Sequence, residues 1–216
     1  MKATDAQKRK GGQTMKDKSR LNDIMHLRRS QLTRAAYKMV GQKGYYNFTI
    51  RDIAREAGLS TGLVHYYFKD KEDLLLNLLK EINRNMTIIL NRAISVIDNP
   101  KDKLETFMDQ AFDLVHSEKD YFYIVIDFWS QVNKNERMKR ANIKLFQSYR
   151  DECMKILREG VEKGVFNPID VEYTAAFIIS LIQGMIIQHV IDANAFDYEE
   201  YTKRVKRHVI DIVIKK

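Results

Sequence analysis

From Leu21 to Ile214 the apolar residues of this 216-residue chain recur three and four positions apart, and no stretch alternates long enough to make a strand. That pattern commits the chain to helices packed on helices. Two prolines and nine glycines are also too few for the many turns of a sandwich or barrel. The first helix is expected over about Leu21–Lys43, with Leu32, Ala35, Ala36, Met39 and Val40 on one face and Gly44 as its stop. Two short helices follow between Thr49 and Phe68. A long one over 71–98 is ended by Asn99-Pro100, and others are expected over 101–117, 121–133, 135–163, 171–193 and 197–214. The fold class is all-α: a three-helix domain over 20–71 and a six-helix bundle over 72–216, preceded by a polar tail over 1–19 expected to be disordered or, less simply, a DNA-contacting arm.

Charge divides the chain at the same place. Residues 1–71 hold 16 Lys and Arg against 6 Asp and Glu, whereas 72–216 hold 21 against 23, for a net charge of +8 overall. The basic third has the composition of a nucleic-acid-binding end on a neutral body. A basic tail kept for solubility accounts for only half of that surplus, because residues 1–20 contribute 7 Lys and Arg against 2 Asp. The lone Cys153 excludes an internal disulfide, fits a reducing cytoplasm and reads as a packed thiol beside Met154 and Ile156. The N-terminus lacks the apolar region of a signal peptide. The apolar run Ala175–Ile191 is interrupted by Ser180, Gln183, Gln188 and His189, and reads as too short and polar to span a bilayer. His116 and His189 have no Cys, Asp or Glu at i±4, and Asp113 stands alone three residues before His116, so neither metal nor cofactor is expected.

The segment 49–68 is a helix-turn-helix pattern. Thr49 precedes the first apolar turn of a short helix and Asp52 follows three residues later, a capping box with Asp in place of Glu. Ile53, Ala54 and Ala57 face inward, while Arg51 and Arg55 face out. Gly58 supplies the positive φ of a sharp turn, Leu59 fills the angle between the helices, and Ser60 caps the next helix. Thr61, Gly62 and Leu63 then occupy the N-terminal end of a recognition helix, where side chains of this motif meet base edges in the major groove. Helix N-termini at Thr49 and Ser60, the donors His65 and Tyr66, and the cations Lys69 and Lys71 are candidates for phosphate contact. Tyr67 and Phe68 are expected to fill the small core.

These residues resemble the TetR family of bacterial transcriptional repressors: Lys43-Gly44, Thr49, Ile53-Ala54, Ala57-Gly58-Leu59-Ser60, Gly62, Val64, Phe68, Lys71 and Leu74 stand at the family's spacings. The family usually has Tyr where this chain has His65, which leaves His65 and Tyr66 as alternative phosphate donors. The string Ser60-Thr61-Gly62-Leu63-Val64 with Lys69-Asp70-Lys71 is most similar to the BetI-type branch, whose founding member represses choline-to-betaine genes. The resemblance continues more faintly at Asp127-Phe128-Trp129 and Gly164–Pro168. It implies an Ω-shaped homodimeric repressor on palindromic operator DNA, released when a small molecule enters the C-terminal bundle and changes the spacing of the two reading heads.

For that bundle the resemblance implies an apolar cavity, and Met86, Phe107, Met108, Ala111, Phe112, Phe128, Trp129, Tyr149 and Phe177 are the candidates to line it. At helical spacing any one of them is also an ordinary core residue. Trp129 with nearby rings has the composition of a cage for a quaternary ammonium, and equally of simple packing. The resemblance places the dimer contact on the last two helices, where Phe177, Leu181, Gly184, Gln188, Tyr201, Val205, His208 and Ile212 form an aligned stripe. Enzymatic readings lack their motifs: no paired Glu-x-x-His segments and no G-x-S-x-G. Two other readings remain at this level, an architectural DNA-binding protein indifferent to ligand and an activator of the same type.

Overall fold

The structure, a computed structural model, describes the backbone of residues 4–117 and 119–214 and the side chains of 23–117 and 121–214. Among the described residues it is all-helical apart from one isolated antiparallel bridge between Phe166 and Ile214. In chain order the helices are α1 (Thr4–Lys43), α2 (Ile50–Ala57), α3 (Thr61–Tyr67), α4 (Lys71–Ile94), α5 (Pro100–Ser117), α6 (Lys119–Trp129), α7 (Glu136–Glu162), α8 (Val171–Ile191) and α9 (Tyr198–Val213).

Three bounds differ from the periodicity. Helix α1 begins at Thr4, so its backbone is helical through most of the segment expected as a disordered tail. Ala, Gln, Lys and Arg lose little rotamer freedom in a helix, and an apolar face is not required for them to adopt it. Helix α4 stops at Ile94 and α6 at Trp129, each about one turn early. At those ends the hydroxyls of Ser95 and Ser130 bond back to the carbonyls of Arg92 and Asp127, which competes with continuing the helix.

The chain divides into two compact units, residues 1–78 and 79–216. The first extends seven residues past the expected boundary, because Leu74, Leu75 and Leu78 at the start of α4 are buried along with Leu32, Ala36, Val40, Ile53, Val64 and Phe68. Arg29 of α1 joins them by bonding Asn77 at 3.0 Å and lying over the Phe68 ring.

The second unit is built around one core, in which Leu104, Met108, Phe112, Cys153, Ile156, Leu157, Ile178, Ile182, Val209 and Val213 are buried. Burial pushes the Cys153 thiol up to about 12, as suits a packed thiol with no reactive role. The end of α7 folds over itself here. The backbone N–H of Phe166 returns to the carbonyl of Gly160 at 2.9 Å, and the Phe166 ring lies where a Gly160 side chain would otherwise be. Asn167 then bonds the carbonyls of Val213 and Ile214, both at 2.8 Å, and ties the α7–α8 loop to the end of α9.

Helix α8 corrects one expectation. Over an 18-residue stretch of its 21 residues the mean hydropathy reaches 1.7, and the helix is long and apolar enough by length and composition to cross a membrane. The polar interruptions count for little because Ser180 and Gln188 bond carbonyls of their own helix. In this fold one face, with Thr174, Ala175, Ile178, Ile179, Ile182 and Ile186, is buried in the bundle.

Candidate nucleic-acid interface and effector cavity

In the first unit, the two short helices owe their geometry to their caps. The Thr49 hydroxyl accepts the Asp52 N–H at 3.2 Å, and the Asp52 carboxylate accepts the Thr49 N–H at 2.8 Å, so the capping box is present. Lys43 and Arg55 donate to the same carboxylate at 3.1 and 2.7 Å. The Thr49 N–H and hydroxyl, followed by Lys43, hold this carboxyl down to about 2.

A carboxyl whose pKa falls on folding contributes stability above its unfolded value, about 4, and loses it as pH drops through the folded one. The start of α2 should therefore weaken between about pH 4 and about 2. Unfolding midpoints of the wild type and Asp52→Asn, followed over that range, should converge as pH falls. Parallel curves would contradict this account of the cap.

Gly58, at φ 65°, ends α2, and the Leu59 N–H returns to the Ala54 carbonyl at 2.8 Å. An L side chain in that conformation costs about 1 kcal/mol or more. Gln31 of α1 donates to the Ala57 carbonyl at 2.7 Å. Ser60 then caps α3 by accepting the Leu63 N–H at 3.2 Å. Ile53, Ala54, Ala57, Val64 and Phe68 are buried beneath.

This packing leaves Thr49, Arg51, Ser60, Thr61, Gly62, His65, Tyr66 and Lys69 exposed and Leu63 half-buried. Thr49, Arg51, Thr61 and His65 line one shallow depression with Ile50, so the two helix N-termini share a surface. Tyr66 is 70% exposed and braced edge-on by the half-buried Tyr67, while Phe68 fills the core at 1% exposure. Both His65 and Tyr66 remain available as donors. An added Cβ at Gly62 would meet nothing nearer than the Ser60 hydroxyl, at 3.9 Å, so packing within the unit does not demand a glycine there.

Lys71, for which phosphate contact is expected, is engaged within the unit itself. Its ammonium donates to the carbonyls of Phe48 and Tyr46 at 2.9 and 3.3 Å and lies 3.8 Å from the centre of the Phe48 ring. Burial lowers its pKa. It clamps the loop that leads into Thr49. No sequence spacing signals this, because the acceptors are backbone atoms more than twenty residues away.

In the second unit a cavity of about 390 Å³ opens among α4, α5, α6, α7 and α8. Five of the expected residues line it: Met86, Phe107, Ala111, Trp129 and Tyr149. Four do not. Met108 and Phe112 turn into the core, where Phe112 packs edge-on against Tyr198. Phe128 is fully buried and does not line the space. Phe177 stacks on Tyr173 on the outer side of α8. Among the residues in their place are Gln110, Asp113 and Leu114 on α5, Tyr121, Phe122, Val125 and Ile126 on α6, Leu145, Phe146 and Glu152 on α7, and Gln183 on α8.

Trp129 stacks on Phe146 at 5.6 Å between ring centres, and the hydroxyls of Tyr121 and Tyr149 bond each other at 2.6 Å. Burial raises the Tyr149 pKa, and the bond from Tyr121 partly offsets it. The helical stripe 122, 125, 126 and 129 was the available signal for α6, but a helix apolar on nearly all sides offers no polar face from which to choose it.

The stripe assigned to the dimer is open. Gln188, Tyr201, His208 and Ile212 are exposed, and Phe177, Leu181, Gly184 and Val205 are half-buried. A Cβ at Gly184 would meet nothing within 4 Å.

With this geometry the comparisons agree. Residues 32–78 match the family described as bacterial regulatory proteins, tetR family, and residues 100–213 match the BetI-type transcriptional repressor, C-terminal. The HTH-type transcriptional regulator BetI of Agrobacterium fabrum is 30% identical over 167 residues, 76% of this chain and 77% of that protein. A transcriptional regulator from Saccharomonospora viridis, solved in complex with choline, superposes with a TM-score of 0.79 at 20% identity, over 87% of this chain and 98% of the other. FadR from Bacillus subtilis, in complex with stearoyl-CoA, gives 0.72 at 22% identity, over 84% and 97%. The chain belongs to the TetR family of DNA-binding transcriptional regulators, in its BetI-type repressor branch.

Proposed function

We propose that this repressor binds a palindromic operator as a homodimer through α2 and α3, and that a small molecule in the α4–α8 cavity releases it. The observation that carries the reading is the shared surface of the two capped helix ends, where hydroxyls, a histidine and an arginine stand around one depression over an apolar core. Thr61, Gly62 and Leu63 read base edges. Thr49, Arg51, Ser60, His65, Tyr66 and Lys69 hold phosphates, with the N–H groups of α2 adding to them. The bare approach at Gly62 suits close contact with the duplex.

The exposed stripe of α8 and α9 pairs with its own copy, which makes two reading heads and hence a two-fold operator. The cavity receives the effector, and solved proteins of this fold carry choline or stearoyl-CoA as bound small molecules. An intracellular, cytoplasmic site of action follows from a DNA target. Regulators of this kind are not enzymes, and the cavity serves binding alone.

The division of labour is tested on a duplex the protein selects. Tyr66→Phe and Lys69→Gln should weaken all duplexes alike, with Lys69→Gln lowering the salt slope by about 1. Thr61→Ala and Leu63→Ala should instead change the preferred bases, at about 1–3 kcal/mol per altered position. Four variants with the same uniform loss would contradict it.

A further inference from the structure

Helix α3 is too short to orient itself. It has seven residues, and isolated helices below about a dozen are marginal in water. Its start is fixed by the Ser60 cap and the turn at Gly58. Its far end, at Phe68 and Lys69, is gripped by side chains of α1 and α4.

Asn77 stands at the centre of that grip. Its Oδ1 accepts from Arg29 of α1 at 3.0 Å, and its Nδ2 donates to the Asp73 carbonyl at 2.7 Å, one turn earlier on α4. The Asp73 carboxylate in turn accepts the Lys69 N–H at 3.2 Å, and the Asp73 N–H donates to the Asp70 carboxylate at 2.7 Å. Arg29 also lies over the buried Phe68 ring, 5.1 Å from its centre. Bonds therefore run from α1 through α4 to the two residues that follow α3.

The chemistry at Asn77 is dictated from both sides. A guanidinium offers only donors and a carbonyl only an acceptor, so the group between them must accept and donate at once. An amide does so, whereas an apolar side chain of the same size drops both bonds. Gln31 repeats the arrangement at the end of α2, accepting from Arg28 at 2.8 Å and donating to the Ala57 carbonyl at 2.7 Å. Arg29 and Asn77 are half-buried, and neither lines the depression shared by Thr49, Arg51, Thr61 and His65.

We infer that Arg29 and Asn77 are positioning residues for DNA reading, whose bond sets the angle at which α3 presents Thr61, Gly62 and Leu63 to the base edges. This rests on the reading of α2 and α3 as the DNA-binding surface. The test uses the full-length protein, the duplex that the wild type selects from a random pool, and an unrelated duplex of the same length.

Asn77→Leu should bind the selected duplex about tenfold more weakly and the unrelated one as the wild type does, so the ratio of the two affinities falls about tenfold. Its salt slope should stay unchanged, because no cation is lost. A partial loss of folded protein cannot imitate this, since it lowers binding to both duplexes by one factor. Arg29→Met should lower the ratio equally, and the double variant should be no worse than either single one, because all three lack the same bond. A ratio that survives Asn77→Leu, or losses that add in the double variant, would overturn the positioning role. So would an Arg29→Met protein that loses both duplexes alike with a slope lower by about 1, which would make Arg29 a phosphate contact. A wild type that fails to distinguish any two duplexes would remove the DNA-reading surface itself.

Discussion

Gly160→Ala should cost about 3 kcal/mol or more and leave the C-terminal unit largely without native packing at moderate temperature. A Cβ there would sit 1.9 Å from one Phe166 ring carbon and 2.2 and 2.6 Å from two others. The ring cannot simply turn aside. It is 2% exposed, and its backbone is held by the bond to the Gly160 carbonyl and by the bridge to Ile214. A double-mutant cycle separates this close approach from a general helix effect. Phe166→Ala alone should cost about 3–5 kcal/mol, and Gly160→Ala added to it should cost little more, because the clashing ring is gone. Additive losses in thermal unfolding would mean that the contact is not what makes Gly160 necessary.

Lys71→Met should weaken DNA binding by about tenfold, or about 1.4 kcal/mol, and leave the salt dependence unchanged. A lysine that touches phosphate releases a counterion, so its loss lowers the slope of log K against log salt by about 1. In this protein the Lys71 ammonium is spent on the carbonyls of Tyr46 and Phe48 and on the Phe48 ring. Its removal acts on DNA only through the loop that positions Thr49 and the start of α2. Lys69, which is exposed, supplies the contrast, since Lys69→Gln should change the slope. A slope change of about 1 in Lys71→Met would return that residue to direct phosphate contact.

The two lysines also show where a sequence is readable. The caps, the glycine turn and the start of α3 are local devices, fixed by residue types three to five positions apart, and each is found where its spacing puts it. The assignment of the chain to helices and the order of those helices were legible for the same reason. The engagement of Lys71 was not, because an exposed and a half-buried ammonium look alike until the fold brings distant carbonyls to one of them.

The cavity was half legible. On α5 the residues Phe107 and Ala111 line the space and Met108 and Phe112 do not, one helical step apart and all apolar. On α6 the rotation was undetermined for want of a polar side, which is how Phe128 was favoured over Phe122 and Tyr121. Gly160 passed unremarked because its constraint comes from a ring six residues later that folds back, whereas the neighbouring Gly164 carries the ordinary signature of a helix stop.

The central claim is that α2 and α3 form the DNA-reading surface of a protein with two-fold symmetry. Selection of random duplexes by the full-length chain, sequenced after several rounds, tests it most directly. The account predicts an inverted repeat whose half-sites lie about one helical turn or a small multiple apart. Affinity for it should fall linearly in log salt, and its preferred bases should shift in Leu63→Ala. Recovery of no common motif, or of one that Leu63→Ala and Thr61→Ala leave unaltered, would contradict it.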